Sequence, residues 1–307
     1  AQGAREMAVA AAQRPDPVLR LSLDNLPVDG PERFSTTRDF MTMRSIDLMQ
    51  TLPGADKRRA RGERFEREAE AALSERVQRV ALLQTEVAQA WLERRMQEQR
   101  WLLLQAQISE ARVLVQTTEA ALRGGRGSTA DALSAREALA QLEQGLIGAQ
   151  AERTNARLTL ARFTGGPPDQ PLADPPPMPF NPAPVNTTDE LPDLKALQAR
   201  EAVARAEAEV ARQELKPDWS AEIMFSQRSS AFSNMVSIGV SVPLQWDRPQ
   251  RQQRELAARL ARVNELEAER EEQTRERVLQ VQRWQQEWRA GRDRLAYLDA
   301  QRQPLAA

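Results

Sequence analysis

No proline interrupts the chain between Asp56 and Leu122, and the residue pattern across that stretch is helical. Near its end, Trp101, Leu104, Ile108, Ala111, Val115, Thr118 and Leu122 alternate in steps of three and four, which is a heptad seam. At about 1.5 Å per residue such a helix is on the order of 100 Å long. A globular domain has no use for a helix of that length; a coiled-coil assembly does.

Composition agrees. Ala, Leu, Glu, Lys and Arg make up about half of the chain, as in long helices. Of 307 residues, 5% are aromatic, too few for a large compact core. There is no Cys and no His, which excludes thiol and imidazole nucleophiles, a Ser-His-Asp triad, disulfides and the usual zinc sites. A net charge of −1 argues against a nucleic-acid partner. Carboxylates sit among arginines, as in Glu269-Arg270-Glu271-Glu272, and read as solvated helix flanks rather than acid–base pairs. The chain is read as a non-enzyme without cofactor. No apolar run approaches the roughly 18 residues of a membrane-spanning helix. The start, from Ala1 to Glu6, reads as helix rather than as a signal peptide.

Gly124-Gly125-Arg126-Gly127-Ser128-Thr129 breaks the long helix, and a second runs from about Ala130 to Phe163. Its seam is Ala132, Ala135, Leu139, Leu142, Leu146, Ala149, Arg153, Ala156, Leu160 and Phe163. A short turn between two such helices makes an antiparallel hairpin.

Ahead of the hairpin, a helix over the first thirteen residues stops at Arg14-Pro15-Asp16-Pro17. Leu19, Leu21 and Leu23 then alternate with Arg20, Ser22 and Asp24 as in a strand, and a second strand is expected from about Phe40 to Thr51. After a proline-rich connector at 166–192, the order returns. A helix from about Asp193 to Leu215 leads to Lys216-Pro217-Asp218-Trp219, then a strand from Trp219 to Gln227. Next comes a strand in which Val236, Ile238, Val240 and Val242 alternate with Ser237, Gly239 and Ser241. Trp246-Asp247-Arg248-Pro249 opens another long helix and echoes Asp56-Lys57-Arg58. The chain thus divides into a first repeat at 1–165, the connector at 166–192, and a second repeat at 193–307 that lacks a returning helix.

One strand pair per repeat is not stable alone, and the helical stripes lack neighbours. Several copies in a ring would meet both needs. The methionines Met41, Met43, Met49, Met224 and Met235 fall in the strand regions. A thioether site for soft metal is one reading; apolar filler on a barrel wall is the favoured one, and no metal site is expected.

This ordered set of helix, Arg-Pro-Asp-Pro, strand pair, long helix, Gly-rich tip, returning helix and Pro-rich connector resembles the TolC-type outer-membrane efflux family. In style it is closest to the branch serving heavy-metal cation exporters of the cobalt–zinc–cadmium type. The resemblance implies a mainly α fold with a β-barrel contribution, assembled as a trimeric α/β-barrel channel-tunnel. It implies a location in the outer membrane of a Gram-negative cell, with the helices in the periplasm. The implied partners are two further copies, outer-membrane lipid, a periplasmic adaptor (membrane-fusion) protein and an inner-membrane pump. Gly127, Ser128, Thr129, Asp131, Leu133 and Arg136 match the family's tip turn, which implies adaptor docking; a plain helix-hairpin cap also accounts for the glycines and Ser128. In the implied barrel, Leu19, Leu21, Leu23, Val236, Ile238, Val240 and Val242 face lipid. Two other readings are a periplasmic adaptor, which should show one hairpin without matched strand pairs, and a soluble coiled-coil scaffold, which leaves Val236 to Val242 as an aggregation-prone strand.

Overall fold

Nine elements follow one another in the computed structural model, which describes residues 1–174 and 190–302. They are α1 (Gln2–Ala12), β1 (Val18–Asp24), β2 (Met43–Leu52), α2 (Ala55–Arg123), α3 (Thr129–Thr164), α4 (Pro192–Glu214), β3 (Trp219–Gln227), β4 (Met235–Ser241) and α5 (Gln252–Arg302). Residues 175–189, the middle of the expected connector, and 303–307, including Pro304, lie outside the described residues. The chain forms two compact units: Ala1–Gln78 with the described part of Pro182–Ala307, and the described part of Arg79–Asn181.

In the first unit the four strands form one antiparallel sheet in the order β1-β2-β3-β4. The two strand pairs meet at the β2–β3 ladder, from Arg44↔Gln227 to Leu52↔Trp219. Helices α1, α4, α5 and the start of α2 belong to the same unit. Their buried positions are mostly alanines, such as Ala8, Ala60, Ala69, Ala196, Ala204, Ala208 and Ala211. Small side chains let helix backbones approach closely. At Gly62 on α2, a Cβ would stand 3.2 Å from both the Ala8 carbonyl and the Ala12 Cβ, so α1 packs against a glycine gap. The larger side chains of this core, Val263 and Leu266 of α5, pack with Ala204 and Ala208 of α4. Ion pairs set the antiparallel register: Arg61–Glu214 and Glu75–Arg200 between α2 and α4, Glu207–Arg259 and Glu201–Arg270 between α4 and α5. Glu201 is buried and is held by both Arg205 at 2.5 Å and Arg270 at 2.8 Å, so its charge is compensated.

The second unit is the hairpin of α2 and α3. Every expected seam position on both helices, from Trp101 to Leu122 and from Ala132 to Phe163, is buried or half-buried. Arg153, the one charged seam residue, lays its guanidinium over the Trp101 ring at 4.1 Å. Arg136–Glu119, Arg112–Glu143 and Arg157–Glu98 bridge the two helices at mirrored distances from the turn. Near the foot, Glu98 accepts from Arg94 and Arg157, while Arg94 also donates to the Gln170 carbonyl at 2.5 Å. Burial alone would raise the Glu98 carboxyl. The two guanidiniums outweigh it and hold the carboxyl below its ordinary range.

Three boundaries differ from the sequence-based expectation. The second strand starts at Met43, not Phe40. Asp39 Oδ1 accepts from the Met41 and Thr42 amides, and the Thr42 hydroxyl donates to the Asn25 carbonyl; those bonds close the loop and compete with the ladder. The long helix expected to open at Trp246 begins at Gln252. Residues 246–251 are turns in which the Asp247 carbonyl accepts from Gln250 and Arg251, and Pro249, between Asp247 and these donors, contributes no N–H. Val242 lies one residue past the end of β4, because Pro243 has no N–H for the ladder and restrains the residue before it.

Candidate functional site

Two surfaces gather the residues singled out in the sequence, one in each unit. At the hairpin tip, the Gly124, Gly125 and Arg126 amides donate to the carbonyls of Ala120, Leu122 and Ala121, which satisfies the last turn of α2. Gly125 has φ +67°, the left-handed region. Gly127 is needed for a different reason: a Cβ there would stand 2.9 Å from the Leu122 amide nitrogen. Ser128 is the N-cap of α3, and its Oγ accepts from the Asp131 amide at 3.3 Å. The Asp131 carboxylate sits in the first turn, where the helix dipole favours it.

Thr129, Asp131 and Leu133 are exposed, Leu133 at 63%. An apolar residue left that open just past a cap does nothing for the turn itself. Arg136 is placed otherwise. Its guanidinium binds Glu119 of α2 through Nε and Nη2, at 2.9 and 2.6 Å. Glu119 is the partner the sequence reading missed; its place opposite Arg136 across the turn was the available signal.

The second surface is one face of the sheet. Because side chains alternate along each strand, the register decides which residues share a side. Leu19 faces Leu48, Leu21 faces Ile46, Ile46 pairs Phe225, Leu48 pairs Ile223, and Ile223 and Phe225 pair Ile238 and Val236. Leu23 and Val240 extend the same side, through Arg44 and Ala221. All these apolar residues but Ala221 are exposed, with Leu21 at 71% and Ile238 at 80%. The register thus joins Leu19, Leu21, Leu23, Val236, Ile238 and Val240 into one apolar face across four strands and adds Ile46, Leu48, Ile223 and Phe225. Val242, partly buried beyond the strand end, is not in the ladder.

The other face carries the polar residues of the sheet. Arg20, Ser22, Asp24, Ser45, Asp47, Glu222, Ser226, Ser237 and Ser241 lie on it by register, interspersed with Val18 and the methionines Met43, Met49, Met224 and Met235. Ser22 and Ser45 both donate to Asp24, Ser45 also bonds the Ser226 hydroxyl, and Ser220 bonds Thr51. At Gly239 a Cβ would collide with the Glu222 side chain, so the glycine makes room for that carboxylate. A sheet with a hydrogen-bonded polar side and a bare apolar side is the reverse of a sheet covering a globular core.

Among the described residues, no helix is long and apolar enough to cross a membrane, and no cluster of acidic residues could hold a metal ion. A duplicated, mainly helical chain with one small apolar-faced sheet defines a class of long-helix proteins built around a strand array. The family described as outer membrane efflux protein matches residues 4–166, more than half of the chain, and the chain belongs to it. Solved structures with the same fold include the outer-membrane channel OprN, at TM-score 0.70 and 22% identity over 90% of this chain and 66% of that one. The outer membrane protein VceC of Vibrio cholerae aligns at TM-score 0.68 and 21% identity, over 90% and 69%. CusC, described in terms of transmembrane channel formation, aligns at TM-score 0.72 and 16% identity, over 90% and 68%. The chain therefore spans about two thirds of the length of these channels. No curated protein matches it significantly.

Proposed function

We propose that the chain is the channel subunit of a tripartite efflux system: a passive duct through the outer membrane, fed by an inner-membrane pump through a periplasmic adaptor. The observation that carries this is the apolar sheet face. Among the described residues nothing covers it, and both outer strands, β1 and β4, have a free edge. Closure of β4 onto β1 of a neighbouring copy satisfies the edges, turns the apolar side to lipid and leaves the Ser-, Asp- and Glu-bearing side to water. Three copies of four strands make a twelve-stranded barrel in this reading, a homotrimer. The strands of 7 to 10 residues approach the length needed to cross a bilayer when tilted.

In the same reading the helices stand in the periplasm, and the tip from Gly127 to Arg136 docks the adaptor, with Leu133 as its apolar contact. The two repeats at 1–165 and 193–307 with the 166–192 connector are supported by the orders α1-β1-β2-α2-α3 and α4-β3-β4-α5. The channel performs no covalent chemistry and needs no cofactor; the pump supplies the energy. For cargo we propose heavy-metal cations, on the resemblance of the sequence to the cobalt–zinc–cadmium branch.

The test is conductance and transport together. Purified protein added to a planar bilayer should give discrete channel openings, and deletion of the gene should raise sensitivity to cobalt, zinc or cadmium. Absence of openings from a folded, membrane-extracted sample contradicts the duct; unchanged metal sensitivity contradicts only the cargo.

A further inference from the structure

The two repeats meet along α2 and α4 and, in the sheet, at the β2–β3 ladder, where a side chain pins the foot. Lys57, on the first turn of α2, donates from Nζ to Asp218 Oδ1 at 2.6 Å and to the Lys216 carbonyl at 2.9 Å. Its side chain is 7% exposed, so this is a built contact rather than a loose surface pair. Lys57 belongs to the first repeat and Asp218 to the turn that opens β3 of the second. Each repeat also ties a glutamine at or after its second strand to the chain at the end of its own preceding helix. Gln50 donates to the Pro15 carbonyl, and Gln245 donates to the Glu214 carbonyl.

The second repeat carries a sequence echo of Lys57: Asp247-Arg248 follows β4 as Asp56-Lys57 follows β2, with Lys57 on the first turn of α2 and Arg248 in the turns ahead of α5. The first repeat carries the counterpart of Asp218: Asp16, in Arg14-Pro15-Asp16-Pro17, precedes β1 as Asp218 in Lys216-Pro217-Asp218 precedes β3. Asp16 and Arg248 are both exposed, and the side chain of neither has a hydrogen bond or ion pair among the described residues. Within one chain they cannot copy the Lys57–Asp218 contact, because β1 and β4 are opposite edges of the sheet.

We propose that Arg248 of one copy pairs with Asp16 of the next, with the Arg14 carbonyl as second acceptor, forming a latch at the foot of every seam between copies. The proposal rests on the ring assembly above. A second copy of this chain is the occupant that the internal repeat specifies: the edges are antiparallel-compatible, the charges are opposite, and a cation–carboxylate contact already joins the end of β2 to the start of β3 inside the chain. The latch also fixes the register of the β4–β1 seam, since a slip along the strands would carry Arg248 away from Asp16.

The chain contains no cysteine, so site-directed cross-linking has no background. Asp16→Cys and Arg248→Cys, combined in membrane-extracted protein and treated with a short bismaleimide, should give a denaturing-gel ladder ending at a covalent trimer. Each single variant should stay monomeric on that gel. In parallel, Asp16→Arg or Arg248→Asp should make the trimer dissociate at several-fold lower denaturing-detergent concentration, and the two together should restore it. Native trimers whose double-cysteine variant runs as monomer, or whose single charge reversals dissociate like the parent, would overturn the latch and leave the ring standing. A parent protein that forms no trimer would overturn the ring itself.

Discussion

Individual residues at the hairpin show how tightly the turn and foot are specified. Gly127 approaches the α2 backbone so closely that even a methyl group must displace it. Gly127→Ala should lower stability by about 1–3 kcal/mol, the usual cost of overpacking, read as a shifted urea midpoint with the helical signal otherwise retained. Glu98 behaves differently, because its effect depends on pH. Its carboxyl is held low in the folded hairpin by Arg94 and Arg157, against the opposing effect of burial. A lowered folded value stabilises the fold at pH above the unfolded carboxylate value, and the contribution fades as pH falls through the folded value. Glu98→Gln should therefore melt earlier than the parent at neutral pH and converge with it in acid. Urea midpoints across a pH series check this; a constant gap down to acid pH would remove Glu98 from the account.

Among the elements, the helices and three of the strands were legible because their signals are local. Seam residues three and four apart must share a side of a helix, and Trp219 to Gln227 forms β3 over the expected range. The start of β2 and the loop before it were not legible. Thr42 is buried through bonds to Asn25 and Asp39, and Arg228, 188 positions from Phe40, donates to its carbonyl. Such long-range closure leaves no periodic trace. The pairing of Arg136 with Glu119 depends on the register of two helices and becomes readable only once the turn is used to set Glu119 opposite Arg136. Strand sidedness offers a sharp test at this scale. Ile238 stands on the apolar face and Ser237 on the polar one. Ile238→Arg should reduce assembled protein in the outer membrane, with a cost of about 2–4 kcal/mol per copy near the midplane, whereas Ser237→Arg should assemble normally. Quantitative blots of outer-membrane fractions compare them, and equal assembly would mean that the proposed faces are wrong. At the tip, Leu133→Asp should abolish adaptor pull-down while leaving the cap bonds of Ser128 intact. Undiminished pull-down would reduce the tip to a helix cap.

For the whole molecule, the unmet demands of a single copy all point outward. The sheet has two open edges and a bare apolar side, and the hairpin leaves Leu103, Val113, Leu114 and Ile147 exposed. Among the described residues nothing covers these surfaces, and the β2–β3 ladder shows how one strand pair joins the next. The most direct measurement is the native mass of the protein extracted from membranes in mild detergent. The account predicts a homotrimer with bound lipid or detergent. A monomer, from a sample whose circular dichroism shows the helices and sheet intact, would contradict it.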